Sequence, residues 1–218
     1  MDATGRDDER LGGHPCVDLV NTVAWRLDEA WTTDRLADAE ALVGWAGAAG
    51  LVDGAEAAAL RAECASEPAR AERVLRRARG FRELLYRTLH ALATGGAPDA
   101  GDVEALRRAT TRALGRAELV GLAPMRWSLR ARTLADLPGV LALSAWELLQ
   151  FEDLGRLRQC ADDACGWLFL DRSRNGTRRW CSSADCGNRA RARRHYRRHR
   201  QAGAGYSAPG GMRRSPGA

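Results

Sequence analysis

Four cysteines in the last third of the chain form two pairs with equal spacing. Four residues separate Cys160 from Cys165, four separate Cys181 from Cys186, and fifteen lie between the two pairs. Each short spacer allows two thiolates to bind one ion, and four sulfurs complete the tetrahedral coordination that Zn²⁺ prefers. The spacing therefore predicts a structural Zn²⁺ site, because four protein ligands leave no open position for a reacting water.

Two histidines further along the chain offer a rival pair of ligands. His195 and His199 are four residues apart and could complete a site with Cys181 and Cys186. Only eight residues separate Cys186 from His195, whereas the usual two-cysteine, two-histidine finger has about twelve. This set would also leave the first cysteine pair without a purpose, so we favour the four-cysteine set.

The residues that follow the last cysteine are strongly basic. Residues 187–200 (GNRARARRHYRRHR) contain seven arginines and no acidic residue. The chain has no lysine, which indicates a coding bias toward arginine, but that bias does not explain how charge is distributed. Residues 1–165 hold 21 arginines against 26 acidic residues, whereas residues 166–218 hold 13 against two. An acidic body with a basic C-terminal segment indicates that the segment binds a polyanion.

A helical wheel divides the basic segment into two arcs. The small and aromatic residues share an arc of about 100° and are expected to dock on the cysteine module; they are Asn188, Ala192, His195, Tyr196 and His199. The arginines occupy the remaining arc and are predicted to face solvent. The predicted nucleic-acid contacts are Arg189, Arg191, Arg193, Arg194, Arg197 and Arg198. Five or six phosphate contacts would make log K fall against log salt with a slope of about −5.

The segment between the cysteine pairs predicts a β-hairpin. Residues 167–170 (WLFL) are the first strand, Asn175-Gly176 is a type I′ turn, and residues 177–180 return. The order of knuckle, hairpin, knuckle and helix is that of a treble-clef-like finger. Because the module has few apolar residues, metal binding must supply much of its stability, to which structural zinc contributes about 10–16 kcal/mol. We expect metal removal to unfold the module and to leave the rest of the chain intact.

The rest of the chain predicts a mostly α fold with a small β-hairpin element. A predicted helix begins at the N-cap Thr33 and ends at Gly50, and the alternation of residues 125–130 predicts a hairpin around Ala123-Pro124. Other helices are predicted over residues 54–66, 68–95, 103–114 and 137–154, and residues 14–25 are either a strand end or a buried helix. The predicted organisation is a helical N-terminal domain (residues 11–154), a small treble-clef-like zinc finger (155–201) and disordered tails (1–10 and 202–218).

Several classes of protein are disfavoured by what the sequence lacks. The charged start MDATGRDDER has no apolar segment and no run approaches eighteen apolar residues, so we expect a cytoplasmic protein with reduced thiols and no membrane span. No nucleotide-binding loop, paired metal-binding acids or nucleophile triad is evident, so we expect no enzyme. His14, Asp18 and Asn21 could line a small-molecule pocket, and satisfied polar groups at a helix entry are the alternative.

The run CGWLFLDRSRNGTRRWCSSADCGNR (residues 165–189) resembles the CGNR zinc finger family, named after residues 186–189. The resemblance covers about residues 155–200. It implies that Cys160, Cys165, Cys181 and Cys186 are zinc ligands, with Gly187, Asn188 and Arg189 completing the motif.

The N-terminal part is similar to the ABATE domain that usually precedes this finger in bacterial proteins. VDLVNTV (17–23), DRLADAEALVGWAGAAGL (34–51) and SAWELL (144–149) carry that similarity, although Leu19 stands where the family often has phenylalanine. The resemblance implies a stress-induced transcription regulator, and hence DNA as the partner rather than RNA, which an arginine-rich helix also suits. The helical body would then bind a small-molecule effector or form a homodimer.

Overall fold

The computed structural model describes residues 10–204 of the 218-residue chain, with side chains described as far as residue 196. Over that range the chain forms seven α-helices and three two-stranded antiparallel sheets. The helices are α1 (Pro15–Val20), α2 (Ala39–Ala48), α3 (Gly54–Ser66), α4 (Pro68–Ala93), α5 (Ala100–Leu114), α6 (Leu137–Phe151) and α7 (Asn188–Ala204). The strands are β1 (Val23–Ala24), β2 (Thr33–Asp34), β3 (Glu118–Leu122), β4 (Met125–Ser128), β5 (Leu157–Gln159) and β6 (Leu168–Leu170). The mostly α fold with a small β element is confirmed.

The helical body is organised around α4. Pro68 begins this 26-residue helix, where its missing amide hydrogen costs nothing. Buried residues recur along α4 at spacings of three and four from Ala71 to Leu89, which is the pattern of a helix with one core face. The first half of α4 packs against α2, α3 and the start of α6, and the second half packs against α1, α5 and the rest of α6.

Helices α3 to α6 and the β3–β4 hairpin form where the sequence predicted them. The predicted N-cap at Thr33, in contrast, was wrong. Thr33 lies in β2 and pairs with Ala24 of β1. Asp34 accepts two hydrogen bonds, of 2.6 and 2.8 Å, from the buried guanidinium of Arg82 on α4. Asp38 is the N-cap of α2 instead. An ion pair with a distant helix therefore outweighs the local capping signal.

The cysteine module shares a core with the helical body. Leu168 and Leu170 of β6 are buried in the same cluster as Val17 and Val20 of α1 and Leu85 of α4. Trp167 and Phe169, which alternate with those leucines, face the four cysteines. Because β6 is buried on both faces, the cysteine module is packed into the body along this strand rather than attached to it by a linker.

The hairpin of the module differs from the predicted one. β6 pairs with β5, so the hairpin encloses the first cysteine pair, and Asn175-Gly176 lies in a loop with no strand on its C-terminal side. Gly176 has a left-handed φ of +62°, but Asn175 does not, so a type I′ turn is not formed. The second cysteine pair leads into α7, so the predicted order of the last knuckle and the helix is preserved.

The predicted tails fall mainly beyond the described part of the chain, namely residues 1–9 and 205–218. Helix α7 reaches Ala204, past the predicted end of the finger at residue 201. None of the helices between residues 10 and 204 combines the length and apolarity that a membrane crossing requires.

Candidate metal centre and nucleic-acid interface

The four cysteines converge on one point. Cys160, Cys165, Cys181 and Cys186 are buried, carry free thiols, and place their Sγ atoms within 4.8 Å of one another. The Sγ atom of Cys181 lies 3.7 Å from that of Cys165 and 3.3 Å from that of Cys186. A tetrahedral ion with metal–sulfur bonds of about 2.3 Å would hold its sulfurs about 3.8 Å apart. The donor set and its spacing therefore fit a four-coordinate metal ion.

The histidine alternative receives no support from the geometry. His195 lies on α7 with an exposed side chain and outside the group of cysteine sulfurs. The side chain of His199 is outside the described part of the structure. The crowding of the cysteines also favours a cation, because their four Sγ atoms all lie within 4.8 Å of one another. Four thiolates this close together need a positive ion between them.

The first cysteine pair lies in the turn between β5 and β6. The amide of Cys160 donates to the carbonyl oxygen of Trp167 at 2.8 Å, and the amide of Cys165 donates to that of Asp162 at 3.0 Å. Gly166 then reverses the chain with a φ of +70°, and a Cβ atom there would lie 2.9 Å from the Cβ atom of Arg26. Only glycine meets both the conformation and the close approach.

The second cysteine pair leads into α7 through a π-helical turn, Ser183–Gly187. The amide of Gly187 donates to the carbonyl oxygen of Ser182 at 3.0 Å, which closes the wider turn. A Cβ atom at Gly187 would lie 3.2 Å from Cδ1 of Trp180, so the small residue lets the indole pack on the helix start. The N-terminus of α7 follows the metal centre directly, where its dipole opposes the negative charge of four thiolates.

Arg189 ties α7 to the metal centre and to the N-terminal domain. Its Nη2 donates to the Sγ atom of Cys186 at 2.8 Å, and its Nε donates to Oδ2 of Asp162 at 3.2 Å. Its guanidinium carbon lies 4.3 Å from the centroid of the Trp25 ring, within the range of a cation–π contact. Arg193 reaches the same Asp162 oxygen at 3.3 Å. The fully buried Asp162 carboxylate thus holds two arginines of one helix.

The wheel prediction for α7 was therefore wrong in its orientation. Arg189 and Arg193, predicted to face solvent, turn toward the protein, whereas Ala192, His195 and Tyr196, predicted to dock, are exposed. The wheel assumed that apolar residues choose the buried face. A buried carboxylate without a cation is far more costly than an exposed tyrosine, so the arginines take that face.

The remaining predicted contacts point away from the body or lie beyond the described side chains. Arg191 and Arg194 are exposed, and the Nη2 atom of Arg191 donates to the carbonyl oxygen of Ser183 at 3.1 Å. Arg197 and Arg198 continue α7, but their side chains are outside the described residues.

A loop of the N-terminal domain, residues 25–27, contacts the segment of the first cysteine pair. The amides of Arg26 and Leu27 donate to the carbonyl oxygens of Cys165 and Ala164, at 3.2 and 3.3 Å. Trp25 has a left-handed φ of +56°, which costs a bulky residue about 1–3 kcal/mol. In this backbone conformation the Trp25 ring lies against the guanidinium of Arg189. Sequence reasoning missed Trp25, Arg26 and Asp162, and no local pattern marks them, because their partners lie far along the chain.

The three residues of the predicted small-molecule pocket all bond within the protein. Asn21 donates to the carbonyl oxygen of Leu168 at 2.8 Å and accepts from its amide at 2.9 Å. Asp18 accepts from the amide of Gly12 at 2.8 Å, and burial raises the pKa of its carboxyl to about 6. His14 accepts from the amide of Cys16 and caps α1. This geometry favours the alternative of satisfied structural groups.

Replacing Asn21 with alanine tests that structural role. The change removes both bonds and leaves a buried amide and carbonyl of β6 unsatisfied, so the free energy of unfolding should fall by about 2–4 kcal/mol. Urea denaturation measures the change, with Asn175→Ala at an exposed position of the finger as the matched control. Equal stability of the two variants would contradict the structural role of Asn21.

Comparisons with known protein families cover both parts of the chain. The ABATE family, described as "Putative stress-induced transcription regulator", matches residues 13–152. The CGNR zinc finger matches residues 156–199, which contain the four cysteines and the start of α7. A comparison with the curated proteins finds no match. Because the ABATE match spans well over half of the chain and the finger match spans the metal centre, this protein belongs to the ABATE family and carries a C-terminal CGNR zinc finger.

Proposed function

We propose that this protein is a zinc-dependent, DNA-binding transcription regulator of bacteria that binds DNA through α7. The observation that carries the proposal is the division of the arginines of α7. Arg189 and Arg193 hold the helix on the metal centre, while Arg191 and Arg194 are exposed and form no ion pair with a described carboxylate. A helix held on the metal centre, with exposed arginines that no described carboxylate neutralises, is suited to a polyanion.

The metal is best assigned as zinc. Soft thiolate ligands in a closed tetrahedral set favour Zn²⁺ over the harder cations that prefer oxygen. Bound zinc would hold the two cysteine pairs together and leave no open position for a substrate, which supports a structural site in a protein that is not an enzyme. Zinc-binding thiols need a reducing compartment, so we place the protein in the cytoplasm.

DNA is favoured over RNA by the shape of α7. Its 17 residues span about 25 Å, and the major groove of B-form DNA admits an α-helix. The major groove of A-form RNA is deep and narrow, and side chains do not read it. The description of the ABATE family as a transcription regulator supports the same choice. RNA binding through the same surface remains the second candidate, since an arginine-rich helix suits both polymers.

We assign different tasks to the two parts of the chain. The finger, residues 155–201, would bind DNA, and the helical domain, residues 11–154, would bind an effector or form the dimer. The core shared through β6 and the contacts of Arg26 and Leu27 with the first cysteine pair support communication between them.

Salt dependence of DNA binding tests the proposed function. Phosphate contacts by α7 would make log K fall linearly with log salt, and Arg191→Gln/Arg194→Gln would reduce the slope by about 2. Fluorescence anisotropy with a labelled duplex measures both. The matched control is Arg73→Gln/Arg77→Gln, two exposed arginines on α4, which should leave the slope unchanged.

Two results would contradict the proposal. Equal slopes for wild type and the α7 variant would remove α7 from the interface. Stronger competition by structured RNA than by duplex DNA, at the same salt concentration, would favour the RNA-binding alternative.

A further inference from the structure

One buried carboxylate shapes the loop between β6 and the second cysteine pair. Asp171 is fully buried and accepts hydrogen bonds from the amide of Ser173 at 2.9 Å, the hydroxyl of Ser173 at 2.6 Å and the amide of Arg178 at 2.9 Å. Arg156 donates to the carbonyl oxygens of Asp171 and Ser173, at 3.0 and 2.8 Å. We call residues 172–179 the arginine loop. Hydrogen bonds at both ends therefore tie this loop to the buried Asp171 carboxylate and to Arg156.

The arginine loop contains two exposed arginines whose charge no described carboxylate neutralises. Its sequence, RSRNGTRR, contains four arginines and no acidic residue. Arg172 pairs with Glu152 at 2.8 Å, and Arg178 donates to the carbonyl oxygens of Trp180 and Cys181. Arg174 and Arg179 are exposed, and among the carboxylates between residues 10 and 196 none forms an ion pair with either of them.

The arginine loop and α7 meet at Trp180. The guanidinium of Arg179 lies 5.1 Å from the centroid of the Trp180 ring. On the helix side, a Cβ atom at Gly187 would lie 3.2 Å from that ring and 3.5 Å from Nη1 of Arg191. Arg179 and the first turn of α7, which carries Arg191, therefore both lie close to Trp180.

We propose that the arginine loop is a second phosphate-binding element for duplex DNA, with Arg174 and Arg179 binding backbone phosphates next to those bound by α7. The inference rests on the proposed function. A loop whose two ends are tied by hydrogen bonds loses less entropy on binding than an untied one. Phosphate contacts from two elements fix how a helix is oriented in a groove, which one helix alone does poorly.

The experiment measures duplex binding by the full-length, zinc-loaded chain between about 50 and 200 mM salt. The test variant is Arg174→Gln/Arg179→Gln, the charge-retaining variant is Arg174→Lys/Arg179→Lys, and the control is Arg73→Gln/Arg77→Gln. We expect the glutamine variant to reduce the salt slope by about 2 and to weaken binding at least about tenfold at the lowest salt. The lysine variant should keep the wild-type slope. Zinc content and circular dichroism should match wild type in every variant.

Three outcomes separate the inference from the proposed function. A wild-type slope in the glutamine variant, together with a reduced slope in Arg191→Gln/Arg194→Gln, overturns the arginine loop and leaves the proposed function standing. A reduced slope in both pairs supports both. Absence of salt-dependent duplex binding by the wild-type chain overturns the proposed function, and the inference with it.

Discussion

Cys181→Ser should abolish DNA binding and destabilise the helical body as well as the finger. Cys181 is central to the metal centre, because its Sγ lies 3.7 Å from that of Cys165 and 3.3 Å from that of Cys186, and its amide donates to Cys160. Without the ion, nothing would bond the three remaining cysteine side chains to one another, and the two cysteine pairs would separate. The free energy of unfolding should fall by more than about 4 kcal/mol, a range that loss of a metal site reaches.

The loss should extend to the body because β6 belongs to both cores. Leu168 and Leu170 pack against α1 and α4, while Trp167 and Phe169 cover the cysteines. Loss of metal frees one face of β6 and weakens its hold on the other. This revises the simpler expectation that the body would be unaffected.

Hydrogen exchange and thermal unfolding measure the reach of the effect. We expect faster exchange in β6, in α7 and in residues 25–27, together with a lower Tm for the whole chain. The matched control is Cys64→Ser, a buried cysteine of α3 outside the metal centre. Unchanged exchange in residues 25–27 would contradict the coupling, and retained DNA binding by the zinc-free variant would contradict zinc dependence.

Arg189→Ala should weaken metal binding and stability without removing a phosphate contact. Its guanidinium donates to Cys186 and Asp162 and lies over Trp25, so the change leaves a buried carboxylate with a weaker partner. Loss of a residue that supports a metal ligand typically lowers metal affinity about 10–100-fold. Because the side chain is 25% exposed, we expect a loss of about 2–3 kcal/mol, below the usual cost of breaking a fully buried pair.

Arg194→Ala, on the outer face of the same helix, is the matched comparison. It should leave stability and zinc content unchanged and reduce the salt slope of DNA binding by about 1. For zinc-loaded Arg189→Ala the slope should equal that of wild type, even though the affinity falls. A slope reduced by Arg189→Ala would show that this arginine contacts phosphate after all, and would contradict its assignment as a positioning residue.

Much of the helical body could be predicted because its signals are local. Asp53 and Glu56 form a capping box that begins α3, and Pro68 begins α4. Such signals act over three or four residues, and the capping box forms even though the distant Arg130 pairs with both of its carboxylates. At Thr33 a distant residue does compete, since the pairing of Asp34 with Arg82 draws the segment into β2.

In the finger, too, some features follow from local sequence signals and others depend on contacts between separate segments. The cysteine spacing predicted the ligand set, and the four sulfurs meet as expected. The Asn175-Gly176 turn signal failed because Asp171 closes the loop by bonding to Ser173 and Arg178. The strand that pairs with β6 is β5, which lies before the first cysteine pair. It has only three residues, too few for an alternating pattern to identify it as a strand.

The four-cysteine site and the basic helix beside it follow from the sequence alone, because ligand spacing and helical periodicity are properties of neighbouring residues. Only the tertiary structure decides which arginines remain for a partner. That choice depends on the buried carboxylate of Asp162. Removing a carboxylate from water is unfavourable unless a cation pairs with it, and Arg189 and Arg193 of α7 provide that cation. The sequence also did not indicate that the finger packs on the helical body. Asn21 and Leu168, whose hydrogen bond joins the two, are 147 residues apart. Contacts over such distances arise from packing, which no local pattern records.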